Sequence, residues 1–129
     1  MNYKYFKPEE LKCNCDDCYS VGEEMSDTFM RKIEFIRGQL GFPFYVMSAY
    51  RCSQYNNKVS TTGLNGPHTT GRAMDIGVRG EKAYELVKEA YLAGFTGIGI
   101  QQTGESRFIH LDDLTPADGF PRPFIWSYK

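Results

Sequence analysis

In "RFIHLDD", residues 107 to 113, successive residues alternate between two kinds of side chain. Neighbouring side chains of a strand point to opposite faces. Phe108, His110 and Asp112 therefore share one face, and Arg107, Ile109 and Leu111 the other. "AMDIGV", residues 73 to 78, repeats the pattern, with Ala73, Asp75 and Gly77 opposite Met74, Ile76 and Val78. Asp75 then projects between two small residues, which leaves space beside it. Such a face makes a poor core and a reasonable cavity wall.

The rest of the chain supplies the cover. Ser26 is a candidate N-cap for a helix over about 26 to 40, where Phe29, Ile33, Ile36 and Leu40 recur at helical spacing. Gly41 and Pro43 stop it. A second helix, about 81 to 93, puts Ala83, Leu86, Val87 and Ala90 on one face and ends at Gly94. "FYVMSAY" (44 to 50) reads as a strand, and "PEEL" near the N-terminus as a turn of helix. "GIGIQ" and "RFIHLD" flank the turn "QTGES" as a hairpin. Residues 52 to 72, rich in Ser, Asn, Thr and Gly, read as a long loop, a length that is usually functional. The tail "PADGFPRPFIWSYK" reads as extended, packed by Phe124, Ile125 and Trp126. This order predicts a small α+β domain with a central antiparallel sheet flanked by helices. At 129 residues, one domain over 1–129 is expected.

The net charge of −1, without a basic arm or stripe, argues against nucleic acid as a partner. No apolar run reaches the roughly 18 residues of a membrane span. "MNYKYFKPEELK" lacks the apolar stretch of a secretory signal, so synthesis in the cytoplasm without export by the usual route is expected. Nine Tyr and nine Phe point to an aromatic core or to a site with aromatic walls. Cys13, Cys15 and Cys18 lie in "CNCDDC", and Cys52 stands far away in sequence. Three readings are open for them: a structural four-thiolate metal site, disulfides, or reduced thiols.

The two histidines, His68 in "GPHTTGRAMD" and His110, can join Asp75. Two imidazoles and a carboxylate suit a zinc ion that keeps one position open for water. Each residue has a blander reading: a hydrogen-bonded core histidine, or an aspartate capping a turn.

"SAYR", "GPHTTGRAMDI" and "FIHLDD", in this order, resemble the zinc peptidases of the D-alanyl-D-alanine carboxypeptidase family. That family includes murein endopeptidases, vancomycin-resistance dipeptidases and phage endolysins. Its pattern is S-G-Y-R, then S-x-H-x-x-G-x-A-x-D-I, then a histidine on a late strand, and it covers roughly residues 26 to 112 here. The resemblance implies zinc as cofactor, with the site on the sheet and His68, Asp75 and His110 as ligands. It implies Arg51, with Ser48 in the same strand, as substrate-binding residues. Gly71 and Ala73 would give a tight turn and room beside Asp75. It further implies hydrolysis of a peptide bond in peptidoglycan stem or cross-link peptides at the cell wall. A single short domain without a signal fits a monomeric phage lysis protein or virion component, and equally a bacterial protein read without its leader.

Two positions depart from the pattern. Gly66 stands where the family usually has Ser. Arg107 stands where many members carry an acidic general base, which leaves Glu105 and Asp112 as candidate catalytic carboxylates. The missing acid also motivates an alternative: an inactive zinc-binding structural or interaction module of the same fold.

Overall fold

Pro8 opens the first helix, α1 (Pro8–Leu11), where its missing N–H leaves no bond unmade. The Ser26 side chain accepts a hydrogen bond from the Phe29 N–H and starts α2 (Asp27–Leu40), which Gly41 ends in the left-handed region. Strand β1 (Tyr45–Ser48) follows, shorter than the sequence implies. The remaining elements are α3 (Ser53–Val59), β2 (Ala73–Gly77), α4 (Glu81–Leu92), β3 (Gly97–Gln101), β4 (Phe108–Asp112) and β5 (Phe124–Ser127). Short 3₁₀ turns span Pro67–Thr70 and Pro116–Asp118. This computed structural model describes residues 2–128. No helix among them is long and apolar enough to cross a membrane.

The strands form one sheet in the order β1-β2-β4-β3-β5. Its apolar face follows the alternation read from the sequence. Met74, Ile76, Ile98, Ile109 and Leu111 pack in one buried cluster with Phe29, Ile33 and Ile36 of α2 and Leu86 of α4. Phe6, Leu11 and Met25 bring the N-terminal segment into the same core.

Three expectations need correction. The sheet is mixed rather than wholly antiparallel, because β5 runs parallel to β3. The cause is topological. Asp112, at the end of β4, pairs with Gly97, at the start of β3. A chain leaving β4 there and returning along the free edge of β3 must run in the direction of β3. The expected loop over 52 to 72 contains α3 and the Pro67–Thr70 turn. Helix α3 is capped by a sulfur, the Cys52 Sγ accepting from the Tyr55 N–H at 3.4 Å, and its Ser and Asn content disguised it. In the tail, Phe124 and Ile125 are 51% and 61% exposed, so of the three expected packing residues only Trp126 turns inward.

Trp126 lies over Gly99: a Cβ at position 99 would come within 2.7 Å of its ring. The chain has a single tryptophan. Gly99→Ala is expected to displace that ring and lower stability by about 1–3 kcal/mol. A shifted tryptophan emission spectrum and a lower urea midpoint would register it; unchanged emission would contradict the packing.

Candidate functional site

One row of residues crosses the entire sheet. Ser48 of β1 pairs with Asp75 of β2, Asp75 with His110 of β4, His110 with Gly99 of β3, and Gly99 with Trp126 of β5. His68 joins this row from the Pro67–Thr70 turn. That turn is tied by Thr69 Oγ1 to the Gly66 carbonyl (2.7 Å) and by Thr70 Oγ1 to the Pro67 carbonyl (2.6 Å). Gly71 then leaves it with φ +74°, where an added Cβ would clash with the Glu24 carbonyl. The departure at Gly66 has a local reason as well. A Cβ there would run into Thr62 and come within 2.8 Å of Asn56 Nδ2.

His68, Asp75 and His110 are all buried, and one ligand atom from each lies within 4.8 Å of the others. Their hydrogen bonds orient the rings. His68 Nδ1 is 2.7 Å from the Ala49 carbonyl oxygen, which can only accept, so this nitrogen carries the hydrogen. His110 Nε2 donates to Asp112 Oδ2 at 2.7 Å. The opposite nitrogens, His68 Nε2 and His110 Nδ1, face the same oxygen, Asp75 Oδ1, at 3.2 and 3.0 Å. With neutral rings, two lone pairs would point at a carboxylate oxygen. A cation among them would relieve this, and a divalent metal fits the donor set.

Without a metal, protons are the available cations. Burial pushes the Asp75 carboxyl up, but the charge and hydrogen bonds of His68 and His110 outweigh it and hold it well below the ordinary carboxylate range. Burial lowers the His110 imidazole, yet its bonds to Asp112 and Asp75 raise it overall.

Arg51 approaches Asp75 Oδ2 through Nη2 at 3.5 Å. Its Nε donates to Ser48 Oγ (3.0 Å) and its Nη1 to Asn56 Oδ1 (3.1 Å). Ser48 thus holds Arg51 in place. Asn56, unnoticed in the sequence, is buried and also donates to Thr62 Oγ1 (2.8 Å) and the Gly63 carbonyl (2.7 Å).

Behind His110, Asp112 is fully buried and accepts both Arg122 Nε (2.9 Å) and Arg122 Nη2 (2.7 Å). Burial opposes ionisation of Asp112, but Arg122 and His110 win and lower its pKa. Arg122, Trp126 and Tyr128 of the tail also line the cleft beside these ligands, roles not expected from the sequence. The signal for Trp126 was the glycine alternation in "GIGI", which opens a slot on the ionisable face; nothing local marked Arg122.

His68, Asp75 and His110 line this cleft of about 800 Å³, together with Arg51, Thr61, Phe108, Trp126 and Tyr128. Its aromatic wall is continuous: Trp126 stands 5.0 Å from His110 and 6.3 Å from Tyr128, and Tyr128 stands 5.1 Å from Phe108. Burial, then the Asp75 charge, pushes the Tyr128 hydroxyl up to about 12.

Glu105 is not brought to this cleft. It lines a separate depression with Tyr45, Arg79 and Arg107, and its carbonyl accepts from Arg79 Nη2 at 2.8 Å. The hairpin turn carries it beyond the end of β4, away from His110 at that strand's centre. Asp112 sits behind His110 and is not among the residues that line the cleft. Among the described residues, Asp75 is the only carboxylate lining the cleft. Elsewhere, the four cysteine sulfurs also come together, all within 4.8 Å of one another.

A family model for Peptidase M15 matches residues 4–112. No curated protein matches the chain.

Asp112→Asn is expected to leave the Arg122 charge buried and uncompensated, at a cost of about 3–5 kcal/mol. The Asp112 carboxyl is lowered in the folded state, so its contribution is present above the ordinary aspartate value of about 3.9 and is lost as pH falls below it. Urea unfolding of both proteins should therefore show a gap at neutral pH that narrows below about pH 4. A gap independent of pH would refute the assignment.

Proposed function

The chain belongs to the M15 peptidase family, and from that premise we propose that it is a zinc peptidase that hydrolyses a bond in the peptide stems or cross-links of peptidoglycan. The observation that carries this reading is the convergence of His68 Nε2, Asp75 Oδ1 and His110 Nδ1 on one point beside a cleft. These three atoms would hold the zinc. Zinc held by them would supply Lewis acidity for polarising a peptide carbonyl and for acidifying water at neutral pH.

The chain's own residues do the rest. Ala49 and Asp112 hold the outer ring nitrogens, so both imidazoles present their lone pairs inward. Arg51, fixed by Ser48 and Asn56, presents a planar guanidinium to a substrate carboxylate or carbonyl. Tyr128 keeps its proton far above neutral pH and can donate to a substrate oxygen. The aromatic wall of Phe108 and Trp126 packs against the apolar parts of the substrate and excludes water. Stem peptides fit because they combine peptide carbonyls with free carboxylates. Asp112, behind His110, is a positioning residue in this scheme, and Glu105 takes no part.

A second reading draws on the absence of any carboxylate but Asp75 from the described cleft lining. In it the chain is an inactive zinc-binding module, such as a virion component. Mass spectrometry of muropeptides after digestion of purified peptidoglycan, with and without chelator, separates the two. Chelator-sensitive release of cleaved stems supports the peptidase. No cleavage of any stem peptide by zinc-loaded protein favours the module.

His68→Ala is expected to lose the zinc of this site together with hydrolysis, because two ligands rarely suffice. Arg51→Ala is expected to retain that zinc and lose turnover by about ten- to a hundredfold, the equivalent of about 1.5–3 kcal/mol for a charge-assisted contact. Metal analysis alongside the digest checks both. An Arg51→Ala protein with wild-type kinetics would remove that residue from the substrate site.

A further inference from the structure

Cys13, Cys15 and Cys18 come from the segment between α1 and α2, and Cys52 from the cap of α3. Cys13 is buried and the others are half-buried. We propose that these four cysteines form a structural metal site in which four thiolates hold one zinc ion, separate from the histidine site.

Three observations carry the proposal. The first is distance. Tetrahedral zinc with Zn–S bonds of about 2.3 Å has sulfurs about 3.8 Å apart. Cys52 Sγ and Cys15 Sγ are 3.8 Å apart, and all four sulfurs lie within 4.8 Å of one another. The cluster is compact enough to close on one ion once the joined Cys15–Cys18 pair is reduced.

The second is polarity. Four thiolates around a divalent ion carry a net charge of −2, which needs donors. The Cys52 N–H donates to Cys13 Sγ (3.3 Å), the Cys18 N–H to Cys15 Sγ (3.3 Å), and the Tyr55 N–H to Cys52 Sγ (3.4 Å). Three of the four sulfurs thus receive backbone hydrogen bonds that orient and stabilise thiolate ligands.

The third is connectivity. In the structure Cys15 and Cys18 are joined through their sulfurs, while Cys13 and Cys52 are free. That bond closes a loop with a sequence separation of only 3, and it fastens nothing distant. A metal held by all four would tie the N-terminal segment to the residue following Arg51. Around the cluster, the Tyr50 N–H donates to the Leu11 carbonyl at 3.3 Å and the Arg51 N–H to the His68 carbonyl at 3.1 Å. The clasp would brace the strand end that carries the cleft's arginine. Metal and disulfide exclude each other here, since the joined pair offers no thiolates. Zinc therefore requires the reduced chain.

Cobalt(II) is the probe. The full chain carrying His68→Ala, stripped of metal and kept reduced, is titrated with cobalt(II). About one cobalt per chain is expected, with thiolate-to-cobalt charge-transfer absorption and the visible bands of tetrahedral sulfur coordination. Zinc should displace it, and Cys52→Ser should abolish the charge-transfer band. If Cys52→Ser does not fold, X-ray absorption at the zinc edge of the His68→Ala protein decides. Four sulfurs at about 2.3 Å support the site, and nitrogen or oxygen neighbours overturn it. No thiolate signature in the reduced chain also overturns it. So does an intact mass showing the Cys15–Cys18 disulfide in protein isolated anaerobically with zinc. Because the histidine site is disabled throughout, failure of the peptidase reading would leave these outcomes unchanged.

Discussion

The structure is organised around one buried negative charge. Asp75 is 6% exposed, and a carboxylate so placed is stable only if its charge is answered. Arg51 answers one oxygen, and the two imidazoles turn toward the other. Each partner is then held from outside: His68 by the Ala49 carbonyl, His110 by Asp112, Asp112 by Arg122, and Arg51 by Ser48 and Asn56. No buried side-chain polar atom among the described residues lacks a hydrogen-bond partner. With a cation among Asp75, His68 and His110 the network would be satisfied in every member, and its rigidity would fix where the three candidate ligand atoms meet.

The tail completes this network. Arg122 reaches Asp112 from the connection between β4 and β5, with its guanidinium 5.1 Å from the Trp126 ring. Trp126 in turn lies on Gly99 and against His110. The parallel pairing of β5 with β3 is what sets both groups beside the row of site residues. The last strand therefore acts less as sheet edge than as one wall of the cleft.

Much of this was legible. Strand alternation alone assigned Asp75, His110 and Asp112 to one face and the core residues to the other. Capping chemistry at Ser26 and Gly41 located α2 to within a residue. What escaped the sequence depended on contacts between distant segments. The α3 cap is a cysteine sulfur, a poor sequence signal, and the hydrogen-bonding capacity of Asn56 is spent on tertiary partners rather than on a turn. The Arg122–Asp112 pair forms only because the chain doubles back after β4. Glu105 looked close to His110 because five residues seem few, but along an extended strand each residue advances about 3.3 Å, enough to leave the cleft.

The electrostatics of the proposed metal site bear on its substrate. Arg122 reaches the cleft lining but its charge is matched by the buried Asp112, so the unmatched balance in the cleft rests on Asp75 and Arg51. Without a metal, Asp75 is shared between Arg51 and the proton held among the imidazoles. A divalent ion between the histidines would take over Asp75 and leave the Arg51 charge uncompensated in a partly desolvated cleft. The site would then favour a ligand bringing negative charge of its own, as a peptide with a free carboxylate next to the scissile bond does. Arg51 would be available to that carboxylate to the degree that the metal has claimed Asp75, which makes metal occupancy and anion recognition two consequences of one shared carboxylate.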